Sequence, residues 1–211
     1  MAFVYLAMFA ALSIVLVAFI HFPFPFLPGA QFLEYDPADV PILIGTFAFG
    51  PLAGLLLTLV VSVVQGITVS AGSGPWGILM HFVATGSMAA VAGFIYRKFH
   101  SMRGAIAALG FGALTMTVVM IPLNLLITPI YTGASVQVVA GMLLPAIIPF
   151  NLIKSVVNCV ITFIVYKHIM KLIGLDLGPN RTPFQNITPE EEIQLNKELD
   201  EIGFFQRCNE F

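Results

Sequence analysis

The amino-acid sequence predicts an all-α integral membrane protein: a six-transmembrane-helix bundle with a long outer loop between helices 1 and 2 and a cytoplasmic C-terminal tail. Three observations carry this expectation. Hydrophobic residues make up 58% of the 211 and charged residues only 9%, and the mean hydropathy is +0.95, more apolar surface than a water-soluble core of this size uses. The apolar residues fall in runs close to the roughly 20 residues that cross a bilayer. Between those runs, bases and acids are segregated: Arg97, Lys98 and Arg103 share one loop, whereas Glu34, Asp36 and Asp39 share another.

Taken in order, the run from Ala2 to Ile20 lacks the basic start of a leader peptide and is too long for its apolar core, so it predicts a first helix from Ala2 to Phe22. The apolar stretch from Pro41 to Thr68 is long for one span. The string AFGPLAG places Pro51 between Gly50 and Gly54, which breaks a helix and predicts two, from Asp39 to Phe49 and from Pro51 to Thr68. Three more follow, from Trp76 to Lys98, from Arg103 to Thr128 and from Ile148 to Ile173. RKFHSMR, residues 97–103, belongs on the cytoplasmic side by the enrichment of short inner loops in Lys and Arg. With six spans both termini are then cytoplasmic, Lys167 and Lys171 end the last helix on the same side, and EYDPADV faces outward. A five-span count sets Lys167 and Lys171 against the rule.

The outer connections are expected at residues 21–39, at SAGSGP and after Pro129. In the first, Pro23, Pro25 and Pro28 interleave with Phe22, Phe24 and Phe26, a pattern that excludes helix and suits either an interfacial aromatic anchor or a cover over a cavity. The expected domains are residues 1–175, the membrane bundle, and residues 176–211, a polar tail. The tail holds eight of the eleven acids, and Thr188, Pro189 and Glu191 start a short helix to about Ile202.

Several chemistries have no sequence support. Cys159 and Cys208 form no CxxC, the four histidines show no ligand spacing, GFGALT is not followed by Gly-Lys-Ser/Thr, and GxSxG is absent. Neither enzymatic activity, a metal nor a nucleic-acid partner is expected; any uphill transport needs an external ATPase.

Polar side chains within apolar helices are the informative residues. Lys154 lies near the middle of the last run, where an ionisable group costs about 2.5 to 3.5 kcal/mol and faces a cavity or partner. Asn151, Lys154 and Asn158 are spaced on one helical face. No acid lies inside a helix to neutralise Lys154, which points to a ligand or carbonyl partner, with packing against neighbouring helices as the alternative. Asn124, two residues after Pro122, is a second intramembrane amide; with Asn151 and Lys154 it supplies converging groups suited to hydroxyls and carbonyls. His81 is deep in the fourth run, where a hydrogen-bonded core histidine competes with a ligand-binding one.

The strings FLEYDPADVPILIGTFAFGPLAG (32–54), GILMHFVATG (77–86), IPLNLLITPIY (121–131) and LLPAIIPFNLIK (143–154) resemble, in that order, the riboflavin-specific substrate-binding components of energy-coupling factor transporters, across residues 1–174. The resemblance implies a bacterial plasma-membrane protein that binds riboflavin near its outer face, under the first loop. It also implies association with a transmembrane coupling subunit and two cytoplasmic ATPases, with riboflavin as cargo and no cofactor. On the family pattern Asn124, Asn151 and Lys154 match polar positions of the flavin site, and Tyr35, Asp39 and His81, carried by the first two strings, complete the expected substrate-binding set. Ala7 and Ala11 form an AxxxA on helix 1, the face that docks the coupling subunit in this family. Many members carry Glu-x-x-Lys-Asn along helix 3, where this chain has Thr58, Val61 and Ser62. A different vitamin or precursor on the same scaffold is the alternative reading.

Overall fold

A computed structural model describes residues 2–23 and 33–172. Helix α1 (Ala2–Phe19) is followed by a two-residue antiparallel pairing of β1 (Phe22–Pro23) with β2 (Glu34–Tyr35), Phe22 opposite Tyr35 and Pro23 opposite Glu34. Then come α2 (Asp39–Phe49), α3 (Pro51–Ile67), a 3₁₀ turn (Ala71–Ser73), α4 (Gly74–Lys98) and α5 (Met102–Thr132). The last helical stretch consists of α6 (Val136–Met142), a π-helical turn (Leu143–Ile147) and α7 (Ile148–Leu172).

Local chemistry sets most of these boundaries. Helix α1 ends before the residue preceding Pro23, which proline biases toward extended backbone. The α2–α3 break is where the sequence puts it: Gly50 has φ +91°, a conformation costly for a residue with Cβ, and Pro51 opens α3 at the first turn, where its missing N–H is no loss. Ser101 caps α5 by accepting a hydrogen bond from the Gly104 N–H at 3.0 Å, and Gly133, at φ +72°, ends it in the left-handed region.

Two expected boundaries are corrected. Helix α5 continues past Thr128 to Thr132, and the stretch after Pro129, expected as a loop, is helical except at Gly133, Ala134 and Ser135. The helix expected to begin at Ile148 is already under way at Val136, with Ser135 as its N-cap. Pro145 and Pro149 do not end it, because the backbone widens by one residue there and the Ile148 N–H bonds the Leu143 carbonyl.

Helix α2 is the centre of the bundle. Every residue from Asp39 to Phe47 is buried, and α1, α3, α4 and α7 all pack against it. The close approach of α4 depends on Gly93: a Cβ there would lie 2.7 Å from Thr46 Cγ2 and 2.9 Å from Pro51 Cα. The outward faces carry large exposed apolar side chains, among them Phe3, Leu52, Leu56, Phe94, Phe111 and Leu126, which suits hydrocarbon rather than water as solvent. Three helical stretches, Gly74–Lys98, Met102–Thr132 and Val136–Tyr166, are long and apolar enough to cross a membrane, and α1, α2 and α3 are shorter apolar helices. The Phe24 to Phe26 part of the first loop and the tail, with its expected helix from Pro189, lie outside the described residues.

Candidate ligand-binding site

One face of α7 carries Asn151, Lys154, Ser155, Asn158 and Thr162, all buried, at offsets that a helix stacks on one side. Against it lies the segment between β2 and α2. Lys154 Nζ donates to Asp36 Oδ2 at 2.8 Å, with side-chain exposures of 8% and 3%. Asn158 Nδ2 donates to the Asp36 carbonyl at 3.1 Å and to Asp39 Oδ2 at 2.9 Å, while Asn158 Oδ1 accepts from the Tyr35 hydroxyl at 3.0 Å. From the other side, Thr85 Oγ1 of α4 donates to Asp39 Oδ1 at 2.8 Å. Asp36 Oδ1 accepts from the Ala38 N–H at 3.1 Å, a local turn that aims the chain into α2. Residues 35–39 are thus fastened to α4 and α7 by charged and neutral hydrogen bonds, those of Asp36 and Asp39 buried and correspondingly strong.

The expectation that Lys154 has no acid partner is therefore corrected. Its carboxylate comes from Asp36, which the sequence places in a loop and the fold buries to 2% exposure. A lysine this deep in an apolar bundle keeps its charge only with such a partner.

Beside this network is a cavity of 130 Å³ lined by Asn124, Asn151, Lys154 and Phe150 on α5 and α7, by Ser62, Gln65 and His81 on α3 and α4, by Met116 and Met120, and by Leu33, Glu34 and Asp36. Its polar groups are unevenly satisfied. Asn124 donates from Nδ2 to the Met120 carbonyl at 2.8 Å and accepts at Oδ1 from Thr128 at 2.9 Å. Asn151 donates from Nδ2 to the Ile147 carbonyl at 2.8 Å, but its Oδ1 is buried with no hydrogen-bond partner among the described residues. Gln65 Oε1 and His81 Nε2 are in the same condition. His81 Nδ1 is hydrogen-bonded to Ser62 Oγ at 2.7 Å, and its Nε2 stands 3.6 Å from Asp39 Oδ1, beyond a good hydrogen bond. Buried orphan groups are uncommon and costly, and here three line one cavity.

Of the six substrate-binding residues expected from the sequence, Asn124, Asn151, Lys154 and His81 line this cavity, whereas Tyr35 and Asp39 sit beside it in the network that holds residues 35–39. Burial, and secondarily the neighbouring Asp36 charge, raises the Tyr35 phenol above its ordinary pKa, which keeps it the hydroxyl donor that Asn158 requires. Ala7 and Ala11 are exposed on α1, while Ala10 is buried, so the AxxxA faces away from the bundle. Asp36, Ser62, Gln65 and Thr85 were missed by sequence reasoning. For Asp36 a signal existed, because Asp-Pro followed by Ala-Asp is a turn that starts a helix.

A helical membrane bundle with a cavity into which amide oxygens project, unpaired among the described residues, has the construction of a membrane-embedded solute-binding protein. Residues 2–166 match the family described as ECF transporter, substrate-specific component, and the chain belongs to that family, which makes it a transporter component rather than an enzyme. It is 32% identical over 171 residues to the riboflavin transporter FmnP of Bacillus subtilis, covering 77% of this chain and 88% of that protein. It is 33% identical over 175 residues to the riboflavin transporter RibU of Staphylococcus aureus, covering 78% and 87% respectively. Among solved structures, the S component of a bacterial ECF transporter superposes with a TM-score of 0.70 at 34% identity over 82% of this chain and 96% of that one. ThiT of Listeria monocytogenes shares the fold, with a TM-score of 0.60 at 19% identity over 81% and 96% of the two chains.

Proposed function

We propose that this protein is the riboflavin-binding subunit of an ATP-driven importer. It captures riboflavin from the outer face of the membrane and delivers it in association with a transmembrane coupling subunit and two ATPases. The observation that carries the reading is the cavity in which Asn151 Oδ1 and Gln65 Oε1 have no hydrogen-bond partner among the described residues, in a chain about one-third identical to riboflavin transporters along most of their length. Riboflavin brings an apolar tricyclic ring for Phe150, Met116 and Met120, and polar edges and hydroxyls for the amides. Six spans with both termini cytoplasmic complete the arrangement, the shorter α1, α2 and α3 crossing alongside the three longer stretches.

The cavity is smaller than the roughly 300 to 1,000 Å³ of small-molecule sites, so a flavin enters by parting its walls. Helices form most of these walls; Leu33, Glu34 and Asp36, with Ser70 in the turn after α3, form the part that is not helical. The segment around Asp36 is held to α7 through Lys154 and Asn158, so flavin entry past it couples to the hydrogen bonds of these two residues. Ala7 and Ala11 give α1 a flat outward face on which a coupling subunit docks.

The test is purification in mild detergent from riboflavin-containing medium, followed by visible absorbance and identification of what denaturation releases. Stoichiometric riboflavin, lost in Asn151→Ala, supports the reading. A colourless protein that also fails to take up added riboflavin overturns it. Uptake by cells expressing this chain with and without the ATPases tests the coupling; equal uptake in both refutes it.

A further inference from the structure

The riboflavin reading does not say which part of the ligand each wall meets, and α3 contributes an orphaned acceptor to the cavity. Gln65, 7% exposed, lies in the last turn of α3, and its Oε1 is buried with no hydrogen-bond partner among the described residues. Asn151 Oδ1, on α7, is in the same state. Both atoms are carbonyl oxygens, which only accept, so each needs a ligand that brings an N–H or O–H.

Resting on the riboflavin reading, a count of donors separates the two positions. The isoalloxazine ring carries a single N–H donor, at N3, whereas the ribityl chain carries four hydroxyls. One N3–H cannot serve acceptors on two different helices, so at least one of them meets a hydroxyl. The surroundings decide which. On the wall formed by α5 and α7, Asn151 is accompanied by Phe150, Met116 and Met120 and by Asn124 and Lys154, which already hold protein partners, a lining whose large side chains suit a flat apolar ring. On the opposite wall Gln65 is accompanied by Ser62, Ser70 and His81 and by Gly66, Gly77 and Ala84, with Met80 as the one large apolar side chain, a lining of mostly small or polar groups that suits a hydrated chain. The hydrogen bond between Ser62 Oγ and His81 Nδ1 at 2.7 Å fixes the imidazole beside Gln65, with Nε2 3.6 Å from Asp39 Oδ1.

The geometry points to Gln65, backed by the Ser62–His81 pair, as the specificity element that reads the ribityl hydroxyls, with Gln65 Oε1 accepting from one of them. The wall formed by α3 and α4 thus distinguishes riboflavin from flavins that lack the chain.

The test compares riboflavin with lumiflavin, which has the same ring with a methyl group in place of the ribityl chain, by fluorescence quenching against wild-type protein and Gln65→Leu. Gln65→Leu is expected to weaken riboflavin about 5- to 100-fold, the range for leaving one buried hydrogen-bonding group unpaired, and to leave lumiflavin within about twofold. Gln65→Glu, which retains an acceptor oxygen, is expected to keep a preference for riboflavin. Equal weakening of both flavins by Gln65→Leu, unchanged riboflavin binding, or loss of the preference in Gln65→Glu overturns the assignment. Wild-type protein that binds neither flavin overturns the riboflavin reading and this inference together, an outcome seen before any variant is measured.

Discussion

Lys154→Met removes the ammonium that Asp36 Oδ2 accepts from at 2.8 Å. Asp36 is 2% exposed, and its remaining side-chain bond is the one Oδ1 accepts from the Ala38 N–H. Breaking a buried pair by deleting one partner costs about 3 to 5 kcal/mol, because the other charge stays buried. For a domain of this size that corresponds to a fall of roughly 6 to 20 °C in Tm at about 2 to 4 °C per kcal/mol. Asp36→Asn strands the lysine instead and falls in the same range. The double variant Lys154→Met/Asp36→Asn leaves no buried charge at this pair and recovers most of the loss, a coupling of at least about 1.5 kcal/mol by the measure of close charge pairs. Thermal unfolding of the four purified proteins in one detergent, without ligand, closes the cycle. Additive single losses in the double variant would refute the pairing, and single variants within about 0.5 kcal/mol of wild type would refute the burial of the charges. Riboflavin binding separates two roles of Lys154: equal weakening by both single variants means that it acts only by holding Asp36, and a larger loss in Lys154→Met means that it also touches the flavin.

Three further outcomes are expected. Gly93→Ala should cost about 1 to 3 kcal/mol by overpacking, since its Cβ meets Thr46 and the Pro51 backbone, whereas Gly110→Ala, with nothing within 4 Å, should be neutral or stabilising by up to about 1 kcal/mol; melting of both variants checks the contrast. The folded-state pKa of Tyr35 is raised, so its contribution is complete below the unfolded phenol value and is lost as pH rises through the folded one; the stability gap between wild type and Tyr35→Phe should be constant near neutrality and close above pH ~10, and a gap that closes at lower pH counts against it. Ala7→Trp and Ala11→Trp should leave riboflavin binding within about twofold while abolishing uptake with the coupling subunit; lost binding would place these residues in the fold rather than at a docking face.

The helices were legible because helix formation is local. Apolar runs, the Gly50–Pro51 break and the basic loop each declare themselves within a few residues, and α2, α3 and α4 begin or end within three residues of expectation. The stretch from Val136 to Ile147 was misjudged as loop because Gly133, Pro145 and Pro149 all signal interruption. A π-helical turn admits the prolines, and the cost of its backbone geometry is met by packing that a single-sequence pattern does not display: Val139, Ala146 and Ile147 are buried with Leu33 and Phe150.

The site was legible by half, and the division follows from reach in sequence. Asn151, Lys154 and Asn158 announced themselves as polar groups on one face of an apolar helix, a property of α7 alone. Their partners did not: 118 residues separate Lys154 from Asp36, and 119 separate Asn158 from Asp39. An acid in a loop between two spans reads as solvated by default, since surface position is the rule for loops and for aspartates. Yet an ammonium buried in hydrocarbon demands compensation, and the chain through Leu175 has only Glu34, Asp36 and Asp39 to offer. That demand, followed through, would have required the loop to enter the bundle. The three acids diverge accordingly: Glu34 pairs with His21 at 2.6 Å across the β1–β2 ladder, Asp36 meets Lys154, and Asp39 is bonded by Thr85 and Asn158. Glu34 joins the two ends of the first loop, Asp36 ties it to α7, and Asp39 ties it to α7 and α4, so the charges that composition alone assigns to the surface are the ones that fix the loop beside the cavity.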